Sequence, residues 1–412
     1  MPRLLLLIPT TTYRADDFLS ACQKLGVDLA VGSNRRQVLE RYSQERTVTL
    51  NFRNLKKGTQ QIIEYAQRHP LAAIVPVDDE TTVLAAQASS ALGLPHNPVE
   101  SVLAARDKHR MREILSKAGL PSPRYWIFPL NGDPVVFATT VSFPCVLKPT
   151  FLSASRGVIR ANNGSEFISA FHRIEKILKD PEVSSLGGDA ARKILVEGFI
   201  PGKEIALEGL LIKGDLKVLA LFDKPDPLDG PFFEETLYVT PSRKPFPVQK
   251  EIAACASRAT RAMGMMEGPV HAELRLNDQG PWVIELAARS IGGLCSRTLR
   301  FGAGLSLEEL IIRHALGLPV ESLEREGRAA GVMMIPIPRR GILREVRGKE
   351  KAKAVPGIEG ITIMIRAGQE VIPLPEGHRY LGFIFARGDS PVEVENALRE
   401  SHRRLEFVIA AR

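Results

Sequence analysis

Cysteine is scarce. Only Cys22, Cys145, Cys255 and Cys295 occur in 412 residues, far apart and with no Cys-x-x-Cys pair. That excludes a disulfide framework and a cysteine-built zinc site, and the four read as reduced packing residues of a cytoplasmic protein. Long apolar runs are missing too. The run at residues 4–8 is far short of the roughly 20 residues a membrane span needs. It is also too short for a signal-peptide core, and no small-residue cleavage site follows it, so no membrane association is expected. Glycine is absent where a dinucleotide would need it. The turn after the first apolar run reads Pro9-Thr10-Thr11-Thr12-Tyr13, not G-x-G-x-x-G, and no GxxxxGK[ST] string occurs anywhere. Thr10–Thr12 are open to two readings, a polar turn or a substrate contact at a helix start. Aromatic residues make up only 6%, and no known nucleic-acid motif is present.

What is present is an ordinary globular balance, 44% hydrophobic and 25% charged. The length suits two or three domains. Lys plus Arg outnumber Asp plus Glu by 55 to 47, a formal net charge of +8. Such a surplus suits either nucleic acid or an enzyme that binds anionic phosphates. Its densest stretch, residues 339–353, holds seven basic and two acidic residues, and the usual meaning of such a run is a solvated face.

Along residues 1–98, short apolar runs (3–8, 27–31, 47–52, 72–77) alternate with helical spacing (15–25, 57–69, 81–92). That pattern predicts an open α/β domain with a parallel sheet. Residues 99–120 read as one charged helix, ended by Gly119 and Pro121. From there to about 320 the pattern is α+β, rich in short strands, with a hairpin over 270–286 turning at Asn277–Gly280. Residues 330–412 read as a third unit with four short strands and a C-terminal helix at 391–405. Neither repeats nor low-complexity segments occur.

Five local features share one chemistry. Lys148 ends the apolar run Cys145-Val146-Leu147, where an ammonium can meet phosphate oxygens or simply be solvated. The loop Ser153-Ala154-Ser155-Arg156-Gly157-Val158 follows at once. Its small residues allow backbone N–H groups and hydroxyls to surround a phosphate. Glu197 and Glu204 flank Phe199-Ile200-Pro201-Gly202. There a strand edge can hydrogen-bond a flat base, and a carboxylate can accept two ribose hydroxyls. The alternative is a hairpin turn with a surface carboxylate. Glu273 and Glu285 fall on the two strands of the hairpin. Hard oxygen ligands of this kind suit Mg²⁺, although such residues can also be a plain cross-strand pair. His271 lies two residues before Glu273, on the same face of a regular strand, and reads as support or substrate contact rather than as a metal ligand. Arg289, four residues past Glu285, can neutralise a phosphoryl group in transit, and Gly292-Gly293 allows close approach to a ligand or starts a helix.

Taken in order, Lys108, Lys148, the 153–158 loop, Glu197 to Glu204, Glu273 and Glu285 resemble the ATP-grasp superfamily. The resemblance covers roughly residues 1–320. It implies an ATP-grasp fold with an N-terminal preATP-grasp α/β domain (1–98) and an ATP-grasp domain (99–320). The latter comprises a small lid at about 124–200 and a metal-binding sheet at about 201–320, and a C-terminal β-rich α+β domain (330–412) is appended. It also implies roles. Lys108 and Lys148 contact α/β-phosphates, and Ser153, Ser155, Gly157 and Val158 close over β/γ-phosphates. Glu197 with the backbone of Phe199 and Ile200 holds adenine, and Glu204 the ribose. Glu273 and Glu285 hold Mg²⁺ (or Mn²⁺). Many members carry Glu-x-Asn at the metal, but here Glu285-Leu286-Ala287 lacks the asparagine. Glu285-Leu286-Ala287-Ala288-Arg289 with Gly292-Gly293 is instead similar to the L-amino-acid (dipeptide) ligase and carnosine-synthase-like branch. In that branch the arginine binds the transferred phosphoryl group. His271, Gly292 and Gly293 then fall at the substrate. The resemblance brings Glu235 to the substrate amino group, its alternative being a lid-edge carboxylate in water. The implied reaction joins a small carboxylate and an amine at the expense of ATP through an acyl-phosphate. A carboxylase or formyl-transfer chemistry of purine or biotin type is the alternative, and a polyanion-binding protein the third. The implied partners are small molecules, with a homodimer as the assembly considered.

Overall fold

A computed structural model describes residues 2–35 and 45–411. The N-terminal part is the expected open α/β unit. Its four parallel strands lie in the order Thr47–Thr49, Asp28–Ser33, Arg3–Leu7, Ala73–Pro76. Leu4 to Leu7 are fully buried on both faces, as a continuous apolar run in a parallel sheet must be. Helices Ala15–Leu25, Leu55–Arg68 and Asp79–Ala91 connect and flank the strands.

The single helix expected at 99–120 is two helices, Val99–Arg106 and Lys108–Lys117. Asp107 breaks it. Its backbone is extended, and its carboxylate accepts from the N–H groups of His109 and Arg110 as the cap of the second helix. The break frees the Lys108 N–H to donate to the Thr150 carbonyl at 2.9 Å. Helix spacing alone does not reveal an internal cap of this kind.

Residues 125–198, within the stretch expected to be the lid, carry a separate antiparallel sheet. Its order is Tyr125–Pro129, Lys193–Gly198, Cys145–Pro149, Ile159–Ala161. The helix Gly164–Leu178 packs on it through Phe167, Phe171 and Ile174.

The largest sheet has eight antiparallel strands. They run Gly280–Ala287, Gly268–Asn277, Lys203–Ile212, Asp215–Asp223, Leu237–Thr240, Ala329–Ile335, Gly382–Gly388, Ile358–Ile363. The expected hairpin is its outer pair. The last three strands belong to the tail, which therefore continues this sheet through Leu237–Thr240 against Ala329–Ile335. Leu237–Thr240 was not expected from the sequence: four buried residues are too few to show a period. A small sheet of Glu370–Val371, Gly341–Arg347 and Glu406–Ala410 completes the tail. The basic stretch lies on it. Arg340 pairs with Glu370, and Arg347 with Glu345 and Glu406. Among the described residues no helix is long and apolar enough to cross a membrane.

Candidate active site

A cleft of about 620 Å³ lies between the N-terminal unit, the 125–198 sheet and the large sheet. Every site residue expected from the sequence lines it except Gly157. Gly157 turns with φ +73°, and a side chain there would press on Pro149 at 2.9 Å. Its N–H donates to the Pro375 carbonyl at 2.9 Å, so its contribution is to the loop's shape. Ala154 and Ser155 also take left-handed backbones, φ +54° and +53°. The cost of roughly 1–2 kcal/mol each shows that the surroundings hold the loop in place. The tail supplies part of that hold. Arg156 Nε donates to the Glu376 carbonyl at 3.0 Å, and the Glu376 carboxylate accepts from Arg173 Nη2 at 2.9 Å.

On the cationic side, Lys148 Nζ lies 2.6 Å from Glu197 Oε2. Burial lowers its pKa, and Glu197 opposes that shift. Arg112, which the sequence reading missed, lies buried with Nε 2.7 Å from Glu197 Oε1. The carboxylate of Glu197, expected at an adenine, is thus spent on two cations. Burial would raise its pKa, but Arg112 and Lys148 hold it below the usual range. Lys108 Nζ donates to the Leu152 carbonyl at 2.8 Å and to Glu285 at 3.2 Å.

On the acidic side, Glu273 and Glu285 are direct partners across the hairpin, with a bulge just after Glu273. Both face the cleft. His271 Nδ1 is 3.2 Å from Glu208 and its Nε2 is 3.6 Å from Glu273. Burial alone would lower the His271 pKa, but bonds to these carboxylates outweigh it and raise it to about 9.

Lys224 is the largest omission of the sequence reading. Its Nζ lies 2.7 Å from Glu204 and 3.3 Å from Glu273. It also bonds Glu235 and stands 4.9 Å over the Tyr238 ring. Oxygens of Glu204, Glu235 and Glu273 lie within 4.8 Å of one another, so a fixed cation is what allows three carboxylates to converge. Burial opposes the Lys224 charge, but these carboxylates raise its pKa well above the ordinary value. A signal was available. An apolar strand ending in Lys-Pro marks Lys224-Pro225 just as it marks Lys148-Pro149. Glu235 is half-buried beside Lys224, which speaks against the alternative of a lid-edge carboxylate in water. Burial and the charge of Glu273 push its pKa up to about 7. Arg275 joins the network, Nε 3.2 Å from Glu204 and Nη1 2.9 Å from the Ile200 carbonyl. Both oxygens of Glu204 therefore already have a cation, and each keeps a lone pair for a ligand hydroxyl.

Arg289 Nη2 is 2.7 Å from Asp79 at the start of the helix Asp79–Ala91. Burial would raise the Asp79 pKa, but Arg289 and Arg106 hold it well below the carboxylate range. Arg14, fully buried, donates from Nη2 to Ser290 Oγ at 2.7 Å and from Nη1 to the Val77 carbonyl at 3.0 Å. The N-terminal unit thus clamps Arg289 and its neighbour.

The donor set suits a divalent cation with a polyphosphate. Glu273 and Glu285 supply hard oxygens from adjacent strands, and Lys108 and Lys148 supply positive charge in the same cleft.

Three family models match the chain in order: the ATP-grasp N-terminal domain over residues 19–96, an ATP-grasp domain over 141–298, and the L-amino acid ligase C-terminal domain 2 over 333–410. Alanine–anticapsin ligase of Bacillus subtilis (strain 168) is 27% identical over 266 residues, 61% of this chain and 56% of that protein. Carnosine synthase 1 of Gallus gallus is 28% identical over 270 residues, 62% of this chain and 29% of that protein. The chain thus spans little more than half of the first of these relatives and less than a third of the second. The crystal structure of an L-amino acid ligase from Bacillus licheniformis superposes with a TM-score of 0.82 at 26% identity, covering 100% of this chain and 99% of that one.

Proposed function

Starting from the chain's membership of the ATP-grasp superfamily, with likeness to its L-amino acid ligase branch, we propose an ATP-dependent carboxylate–amine ligase that releases ADP and phosphate. The observation carrying this reading is that Lys108, Lys148, Glu273, Glu285 and Arg289 line one cleft. ATP lies with its phosphates toward Lys108 and Lys148, and with Ser153 and Ser155 offering hydroxyls above them. Phe199 and Ile200 border the adenine, and Glu204 the ribose. Glu273 and Glu285 would hold Mg²⁺ or Mn²⁺, which supplies charge neutralisation at the triphosphate. A substrate carboxylate oxygen attacks the γ-phosphorus, and the bond to the β–γ bridging oxygen breaks, releasing ADP. The amine then attacks the acyl carbon, phosphate departs and the amine proton is lost. Arg289, held by Asp79, faces the phosphoryl group and stabilises its charge in transit. Glu235, beside Lys224, borders the substrate amino group.

The test is a phosphate-release assay with Mg-ATP and pairs of amino acids. ADP and phosphate should form together with an amide product. Glu285→Gln should lower kcat at least a hundredfold. Release of AMP and pyrophosphate, bicarbonate-stimulated turnover without an amine, or wild-type rates in Glu285→Gln would each overturn the reading.

A further inference from the structure

The cleft does not end at the phosphate-facing residues. Beside Glu235 its lining also includes Tyr13, Tyr238, Ile291, Cys295, Met334 and Tyr380, all part of or packed on one apolar cluster. These come from five separate stretches of chain. Tyr13 precedes the first helix of the N-terminal unit, and Tyr238 lies on Leu237–Thr240. Ile291 and Cys295 follow Arg289, while Met334 and Tyr380 belong to the tail. Phe383 backs them, with Tyr13 edge-on at 5.9 Å and Tyr380 at 6.2 Å. Gly293 is bare because a side chain there would meet the Phe383 ring at 2.9 Å. Glu235 stands close by. Tyr238 donates its hydroxyl to Glu235 at 2.8 Å. Burial first and the Glu235 charge next raise both the Tyr380 phenol and the Cys295 thiol.

Among the described residues no cation in this part of the cleft is uncommitted. Arg14 is spent on Val77, Ser290 and Glu308, and Lys224 on its three carboxylates. An acidic side chain would find no partner and would face Glu235. A small one would leave the ring surface of Tyr13 and Tyr380, the two partly exposed members, without contact.

We propose that this apolar part of the cleft, presented by Tyr13 and Tyr380 over the buried Met334, selects an amino acid substrate with a large apolar side chain. The inference rests on the ligase reading and deepens it. Most of the selectivity comes from the tail and the N-terminal unit, outside the strands that carry the phosphate-facing groups.

The experiment uses the full chain with Mg-ATP and supplies glycine, alanine, leucine, methionine, phenylalanine, aspartate or lysine as both acid and amine. Phosphate release should give kcat/KM for leucine, methionine or phenylalanine at least tenfold above glycine, aspartate and lysine, the scale expected for an apolar pocket. Tyr380→Ala should lower kcat/KM for leucine about tenfold and for alanine less than threefold. Tyr13→Ala should act in the same direction, with melting temperatures confirming that both variants fold. A preference for aspartate or lysine, or equal losses for alanine and leucine in both variants, would overturn the proposal. Should no amino acid release phosphate, the ligase reading fails first. A thermal shift with leucine but not aspartate would then still support the pocket, and a shift with neither would end it.

Discussion

Lys224 shows how one residue organises the acidic side of the cleft. Three carboxylates with oxygens within 4.8 Å repel strongly unless a cation stands among them. Lys224→Met keeps much of the volume and removes the charge. The buried carboxylates are then left unpaired, a loss of about 3–5 kcal/mol. Urea unfolding at pH 7 should show a large fall in midpoint with little change in slope, and a wild-type midpoint would show that the cluster is neutralised another way. The residue scale is also where the sequence was least informative. Lys148 was legible because an apolar strand ends on it. Arg14, Asp79, Arg112 and Arg275 were not, because their partners are distant in the chain. Arg14 meets Ser290 across 276 positions and Arg112 meets Glu197 across 85. No local pattern encodes such pairs.

At the scale of elements the sequence served better. The parallel unit, the hairpin and the helix Gly164–Leu178 all follow apolar periodicity closely, and they were legible for that reason. Apolar spacing does not show the break at Asp107, since Arg106, Asp107 and Lys108 are all compatible with a polar helix face. Its effect is functional as well as local. The cap starts the second helix where Lys108 can reach Leu152 and Glu285. Asp107→Ala removes two accepted N–H bonds and should cost about 1 kcal/mol of stability. Since the Lys108 backbone is also held by Thr150, the variant should fold. Its KM for ATP should rise several-fold in the phosphate-release assay, and an unchanged KM would detach the cap from ATP binding.

For the whole molecule, two long-range connections were beyond sequence reading: the tail strands entering the large sheet, and the tail loop at Pro375 and Glu376 gripping the 153–158 loop. Glu376→Gln weakens the Arg173 pair on an exposed surface, worth no more than about 1 kcal/mol. Global stability should therefore barely move. The loop with its two left-handed residues should relax instead, read as faster limited proteolysis near residue 155 and a raised KM for ATP. Equal proteolysis in variant and wild type would mean that the two bonds to main-chain carbonyls, Gly157 to Pro375 and Arg156 to Glu376, suffice without the Arg173 pair.

The continuous eight-strand sheet has a consequence for chimeras. The backbone of Leu237–Thr240 takes its partner on one side entirely from Ala329–Ile335. A graft that exchanged the tail at residue 328 for a foreign module would succeed only if the newcomer brought a strand in the same register. Otherwise it would leave an open apolar edge in the middle of the protein, the kind of surface on which chains stack upon one another. Recombination within this architecture is therefore constrained less at the linker than at one row of backbone hydrogen bonds.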